Sequence, residues 1–141
     1  MRSRRAPYNA PMIDHIGIRV KDYVKSRDFY AKALGPLGYS TLMEFTKDEM
    51  PELPFSHVGG LGADGKPDFW INPSDTPTPP THLAFTAKTR ADVDAFYHAA
   101  LAAGAKDNGP PGIRAHYHPT YYGAFVTDLN GHNLEAVCHT P

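Results

Sequence analysis

An α+β fold made of two tandem βαβββ units is predicted by three observations. A strand-like alternation, a helical period and three more strand-like runs follow one another, and the same order begins again after a proline-rich break. The first strand of each half carries a histidine near its start, His15 in "IDHIGI" and His82 in "PTHLAF". The 141 residues have room for one compact domain, or for two half-sized units sharing a core, and for no third unit.

Residues 1–11 have no periodicity and read as a loose arm. In "MIDHIGIRV", Ile16, Ile18 and Val20 fall on one side of a strand, with His15, Gly17 and Arg19 on the other. "DYVKSRDFYAKAL" places Val24, Phe29, Ala31 and Leu34 at roughly helical spacing, with Asp22 as N-cap and Gly35-Pro36 as the stop. "GYSTLMEF", "PFSHVGGLG" and "PDFWIN" read as three strands and complete a first unit over about 12–73. "NPSDTPTPP" contains four of the fourteen prolines, so residues 74–80 are expected to be a stiff linker. The second unit, about 81–139, runs through the strand "THLAFTAK" and a helix capped at Thr89 or Asp92 and stopped at Gly104. The short stretch "AKDNG" and the strands "YYGAFVTD" and "NLEAVCH" complete it.

Composition narrows the function. Aliphatic and aromatic residues make up 41%, enough to close a core, and a net charge of −1 leaves no bulk basic surface for phosphate backbones, so nucleic acid is not expected as a partner. No apolar run is long enough to cross a bilayer, and the basic start Met1 to Arg5 lacks the apolar stretch of a signal peptide; a cytoplasmic protein is the expectation. The single cysteine, Cys138, excludes an internal disulfide and a multi-cysteine zinc site; alternation turns it toward the helices as a small buried hydrophobe. Eight histidines are the one compositional outlier.

The duplicated order, with "HIGIRV" early, "THLAFTA" midway and "YYGAFVTDLNGHNLEAV" at the end, resembles the vicinal oxygen chelate superfamily of glyoxalase, bleomycin-resistance and extradiol-dioxygenase proteins. The resemblance spans about residues 12–139, and its last segment is the most specific part. It implies two units that form a curved, cup-like mixed sheet with the helices outside. It also implies a divalent metal (Fe, Mn, Ni, Co or Zn) held by His15, His82 and Glu135, a small-molecule substrate and a homodimer. Some members complete the cup with units from different chains, and the tandem sequence leaves that pairing open. Alternation agrees with the ligand set. His15 and His82 point away from the greasy sides of their strands, and Glu135 lies opposite Leu134, Ala136 and Cys138. Two histidines and a carboxylate with an open face suit a substrate-binding metal; the bland reading is a hydrogen-bonded polar face.

One departure matters. The fourth ligand of glyoxalase I-like members falls within "PDFWIN", where Trp70 stands, with Asp68 one alternation earlier. Tryptophan cannot ligate, so the pattern is more similar to the extradiol dioxygenases and the fosfomycin-resistance thiol transferases. Trp70 is then an aromatic wall for substrate, core packing, or both. In "HYHPTYY", Pro119 and the nearby Pro110-Pro111 place His118 on a loop over the cup, with His118 and Tyr122 as candidate catalytic groups and Tyr121 as a substrate contact. Arg19 and His57 are further substrate-binding candidates, each with a surface or structural alternative, and His132 is expected to be solvated in its turn. The leading expectation is a metal-dependent lyase, isomerase or ring-cleaving dioxygenase. The alternatives are a metal-free binding protein of the bleomycin-resistance type and a thiol transferase of the fosfomycin-resistance type.

Overall fold

Strand alternation and helix caps set the architecture of the computed structural model, which describes residues 12–141. The expected N-terminal arm lies outside the described residues. In the first unit, β1 (Ile16–Val20) leads through the Asp22 cap, which accepts from the Lys25 N–H at 3.1 Å, into α1 (Tyr23–Leu34). A short 3₁₀ turn at Gly35–Leu37 ends the helix, and Gly38 takes the left-handed conformation there, with φ 90°. β2 (Ser40–Thr46), β3 (His57–Ala63) and β4 (Lys66–Pro73) complete the unit. The second unit repeats this with β5 (His82–Thr86), α2 (Arg90–Ala102) capped by Thr89, β6 (Lys106–Ile113), β7 (Tyr122–Thr127) and β8 (Asn133–Cys138).

The two units have the same topology. Each forms an open four-stranded mixed sheet, ordered β1-β4-β3-β2 and β5-β8-β7-β6, in which the first and last strands run parallel and the other neighbours antiparallel. The helices cover one face of the sheets and pack on each other, so the units share one apolar core. Phe69 joins them, with its ring 4.8 Å from Tyr30 and 5.6 Å from Phe85. A polar tie reinforces the joint: the buried Tyr30 hydroxyl donates to Asp128 in the β7–β8 turn, and Asn130 donates to Ser26 on α1 at 3.1 Å. Among the described residues, no helix is long and apolar enough to cross a membrane.

Three local expectations are corrected. Val24 faces solvent, because the buried face of α1 is Tyr23, Ser26, Phe29, Tyr30, Ala33 and Leu34. Ile16, at the start of β1, is exposed rather than packed against the helix. The Pro110-Pro111 stretch is strand, not loop: β6 is an edge strand, where missing N–H donors are tolerated, and its pairing with β7 slips on either side of Gly109. The linker is stitched to β1, whose Arg19 amide donates to Thr78 Oγ1 at 2.8 Å while the Thr78 amide returns a bond to the Arg19 carbonyl at 3.0 Å.

Candidate functional site

On the face of the second sheet opposite the helices, register sets His82 beside Asn133, and Glu135 between Ala84 and Phe125. The Glu135 side chain is 3% exposed and that of His82 50%, and His82 Nε2 stands 3.1 Å from Glu135 Oε1. The other ring nitrogen, Nδ1, lies 3.0 Å from the Asn133 carbonyl. A carbonyl only accepts, so Nδ1 carries a proton and Nε2 is the ring atom that faces the carboxylate. The second carboxylate oxygen, Oε2, accepts from the Tyr121 hydroxyl. Burial, and after it the bond to Glu135, push the Tyr121 phenol well above its ordinary range, so it remains a donor.

The chemistry of this pair fits a divalent cation in part. Nε2 and Oε1 converge, two lone-pair donors when Nε2 is unprotonated, and the imidazole is oriented through its far nitrogen in the way metal-binding histidines are. His15 does not join them within one chain: it sits just before β1 with Nδ1 2.7 Å from Asp14 Oδ1, and Lys66 also grips Asp14 at 3.1 Å. Those two partners hold the Asp14 carboxyl below its ordinary range. His15 and His82 both border a groove of about 540 Å³ between the two units, together with Tyr39 and Asp68. Even so, among the described residues no three His, Cys, Asp or Glu side chains are grouped to hold a metal.

The remaining candidates divide by face. Trp70 lies opposite the helices, its ring leaning over Gly60, where an added Cβ would meet the ring at 2.8 Å. Tyr122 does not face the site. It alternates with Ala124 and Val126 onto the helix side, donates to Asp94 of α2 at 2.6 Å and lies under Arg90. His57 is likewise on the helix side of β3, stacked on Tyr23 with ring centres 5.3 Å apart. Arg19 spends its Nε on the Thr76 carbonyl at 3.0 Å, so it clamps the linker. His132 is buried, not solvated: its Nδ1 accepts from the Thr81 amide and its own amide donates to Asp128.

His118 is beside the site, not in it. Its Nδ1 accepts from the Thr120 amide at 3.2 Å, so Nε2 carries the proton and donates to His139 Nδ1 at 2.8 Å. Both rings stand edge-on to Tyr121, the residue that holds Glu135. Cys138 is buried, as alternation predicts.

Sequence reasoning misses Phe125 and Arg114. Phe125 pairs with Glu135 and stacks on His82 with ring centres 6.2 Å apart, and the Arg114 guanidinium lies 5.4 Å from the Phe125 centroid. Alternation along β7 could have found Phe125. The prolines of β6 conceal that the strand leads directly into Arg114, whose amide donates to the Tyr121 carbonyl beside the same sheet.

Several solved structures share this fold. A glyoxalase/bleomycin resistance protein from Albidiferax ferrireducens is 25% identical, with 91% of this chain and 98% of that chain covered at a TM-score of 0.70. TioX from a Micromonospora species is 17% identical, with 88% and 95% covered at a TM-score of 0.63. A mutant of the fosfomycin resistance protein FosX from Listeria monocytogenes, complexed with Mn(II) and 1S,2S-dihydroxypropylphosphonic acid, is 18% identical, with 88% and 86% covered at a TM-score of 0.61. No curated protein matches. Residues 12–136, nearly all of both units, match the family described as Glyoxalase/Bleomycin resistance protein/Dioxygenase superfamily, and the chain belongs to that superfamily.

Proposed function

We propose that the chain is a metal-dependent enzyme acting on a small oxygenated molecule, with His82 and Glu135 of one chain and His15 of a second copy holding a divalent ion. The opposition of His82 Nε2 and Glu135 Oε1 at 3.1 Å carries this reading. A neutral imidazole whose Nδ1 proton is committed to a carbonyl presents a lone pair to a carboxylate, and two such acceptors repel unless a cation lies between them. Among the described residues no third ligand joins the pair, which leaves that place to a donor from a second copy, and His15 is the histidine that immediately precedes β1, the edge strand of the first sheet.

When bound, a divalent ion of the Fe, Mn, Ni, Co or Zn type supplies Lewis-acid polarisation of adjacent substrate oxygens. The chain's own residues do the rest. The Asn133 carbonyl fixes the His82 ring, and Tyr121 holds one carboxylate oxygen of Glu135 so that the other faces His82. Phe125, and Trp70 of the unit that supplies His15, offer aromatic faces to a planar or apolar part of the substrate. Ring cleavage, an isomerase or lyase step through an enediolate, and thiol addition all suit this frame, and the Mn(II) complex of FosX shows one fold relative holding such an ion.

A metal-free binding protein of the bleomycin-resistance type is the second reading. One observation favours it: a proton on His82 Nε2 would satisfy the pair as an imidazolium–carboxylate bridge with no third ligand. Metal analysis of protein purified without chelator or affinity-tag metal separates the two. The enzyme reading expects close to stoichiometric metal, lost in both His82→Ala and Glu135→Ala. A wild-type protein that holds no metal after incubation with Fe(II), Mn(II), Ni(II), Co(II) and Zn(II) rejects it.

A further inference from the structure

The guanidinium of Arg114 is held on the same sheet as the His82–Glu135 pair, with no carboxylate bridged to it among the described residues. Two backbone bonds fix its place: the Arg114 amide donates to the Tyr121 carbonyl at 2.7 Å, and Nη2 donates to the Pro110 carbonyl at 2.7 Å. The "GPPG" run provides the bed. A Cβ on Gly109 would come within 3.3 Å of Nη2, and one on Gly112 within 3.1 Å of Nη1, so side chains at either position would crowd the fork. Phe125 lies beneath it, 5.4 Å from the guanidinium carbon, and links it to His82. A half-buried guanidinium gives up hydration, and a planar anion restores that loss with two parallel hydrogen bonds.

We propose that Arg114 determines specificity by binding an oxyanion, carboxylate or phosphonate, on the substrate whose neighbouring oxygens lie at His82 and Glu135. The location rests on the function proposed above; the selection for charge rests on Arg114 and its glycine bed alone. Arg19, the arginine that alternation put forward, lies on the first sheet and clamps the linker through the Thr76 carbonyl, not beside the His82–Glu135 pair.

The test uses three probes: catechol, protocatechuate and the phosphonate analogue of protocatechuate. Each is titrated against the fluorescence of Trp70, the single tryptophan, in wild type, Arg114→Gln and Arg114→Lys, with Mn(II) and after EDTA treatment. Wild type is expected to bind one or both charged probes at least about tenfold more tightly than catechol. Which of the two gains identifies the oxyanion. Arg114→Gln should bring the charged probes down to the level of catechol and leave catechol itself unchanged, and Arg114→Lys should keep part of the preference. The proposal is overturned if wild type shows no preference, if it binds none of the probes at millimolar concentration, or if Arg114→Gln weakens all three alike. A preference that depends on Arg114 and survives EDTA keeps this proposal while removing the metal. Mn(II)-dependent binding that is identical in wild type and Arg114→Gln removes this proposal and keeps the metal.

Discussion

Glu135 is an acid buried to 2% exposure in a sheet, and its neighbours explain how it is tolerated there. A buried carboxylate needs a donor for each oxygen or a cation beside it. Tyr121 serves Oε2, and His82 faces Oε1. Tyr121→Phe removes that donor without changing shape, so it should cost about 1–3 kcal/mol in urea unfolding. It should also weaken metal uptake by roughly tenfold or more; unchanged stability would mean that the hydroxyl does not support the acid. The face on which Glu135 lies was legible from alternation, because Leu134, Ala136 and Cys138 mark the greasy side; its candidacy as a ligand came from the family resemblance. The choice between Tyr121 and Tyr122 was not. Adjacent residues face opposite sides, and only the point where β7 begins, at Tyr122, decides which one turns to α2 and which to the acid.

Glycines decide how closely the elements approach. In β3, Gly59, Gly60 and Gly62 let Tyr23, Trp70 and the β4 backbone come nearer than a side chain would allow. Gly62 is the strictest of them, because an added Cβ would overlap the Lys66 carbonyl, which is backbone at the start of β4 and cannot swing away. Gly62→Ala should therefore cost upward of about 3 kcal/mol and reduce soluble yield. Gly65→Ala is the matched control: its Cβ meets nothing within 4 Å, but φ is +75°, so the cost should be nearer 1 kcal/mol. Urea midpoints of the two variants test that order, and equal losses would contradict it. The helices were read well because caps and stops are local signals, as Asp22 and Thr89 show. β6 was hidden because prolines argue against a strand unless its edge position is known, and the sequence does not display strand order.

At the scale of the whole molecule, the repeated order of elements was legible while the spatial relation of the units was not. That relation depends on long-range packing of Tyr30, Phe69 and Phe85 and on the Tyr30–Asp128 tie, which no local pattern announces. A metal site shared between chains makes a countable prediction. Mixing His15→Ala with His82→Ala at random should restore about a quarter of the wild-type metal sites, since half the dimers are mixed and each has one intact site of two. A site within one chain would restore none, so metal content after co-expression of the two variants distinguishes the arrangements. The sheet edges have a different significance. β6 carries Pro110-Pro111, and the side of β1 away from β4 is occupied by the linker with Pro77, Pro79 and Pro80. Prolines offer no N–H to an incoming strand, so both edges resist templating another chain. The residues that look like mere spacers thereby guard one edge of each sheet against uncontrolled ribbon growth.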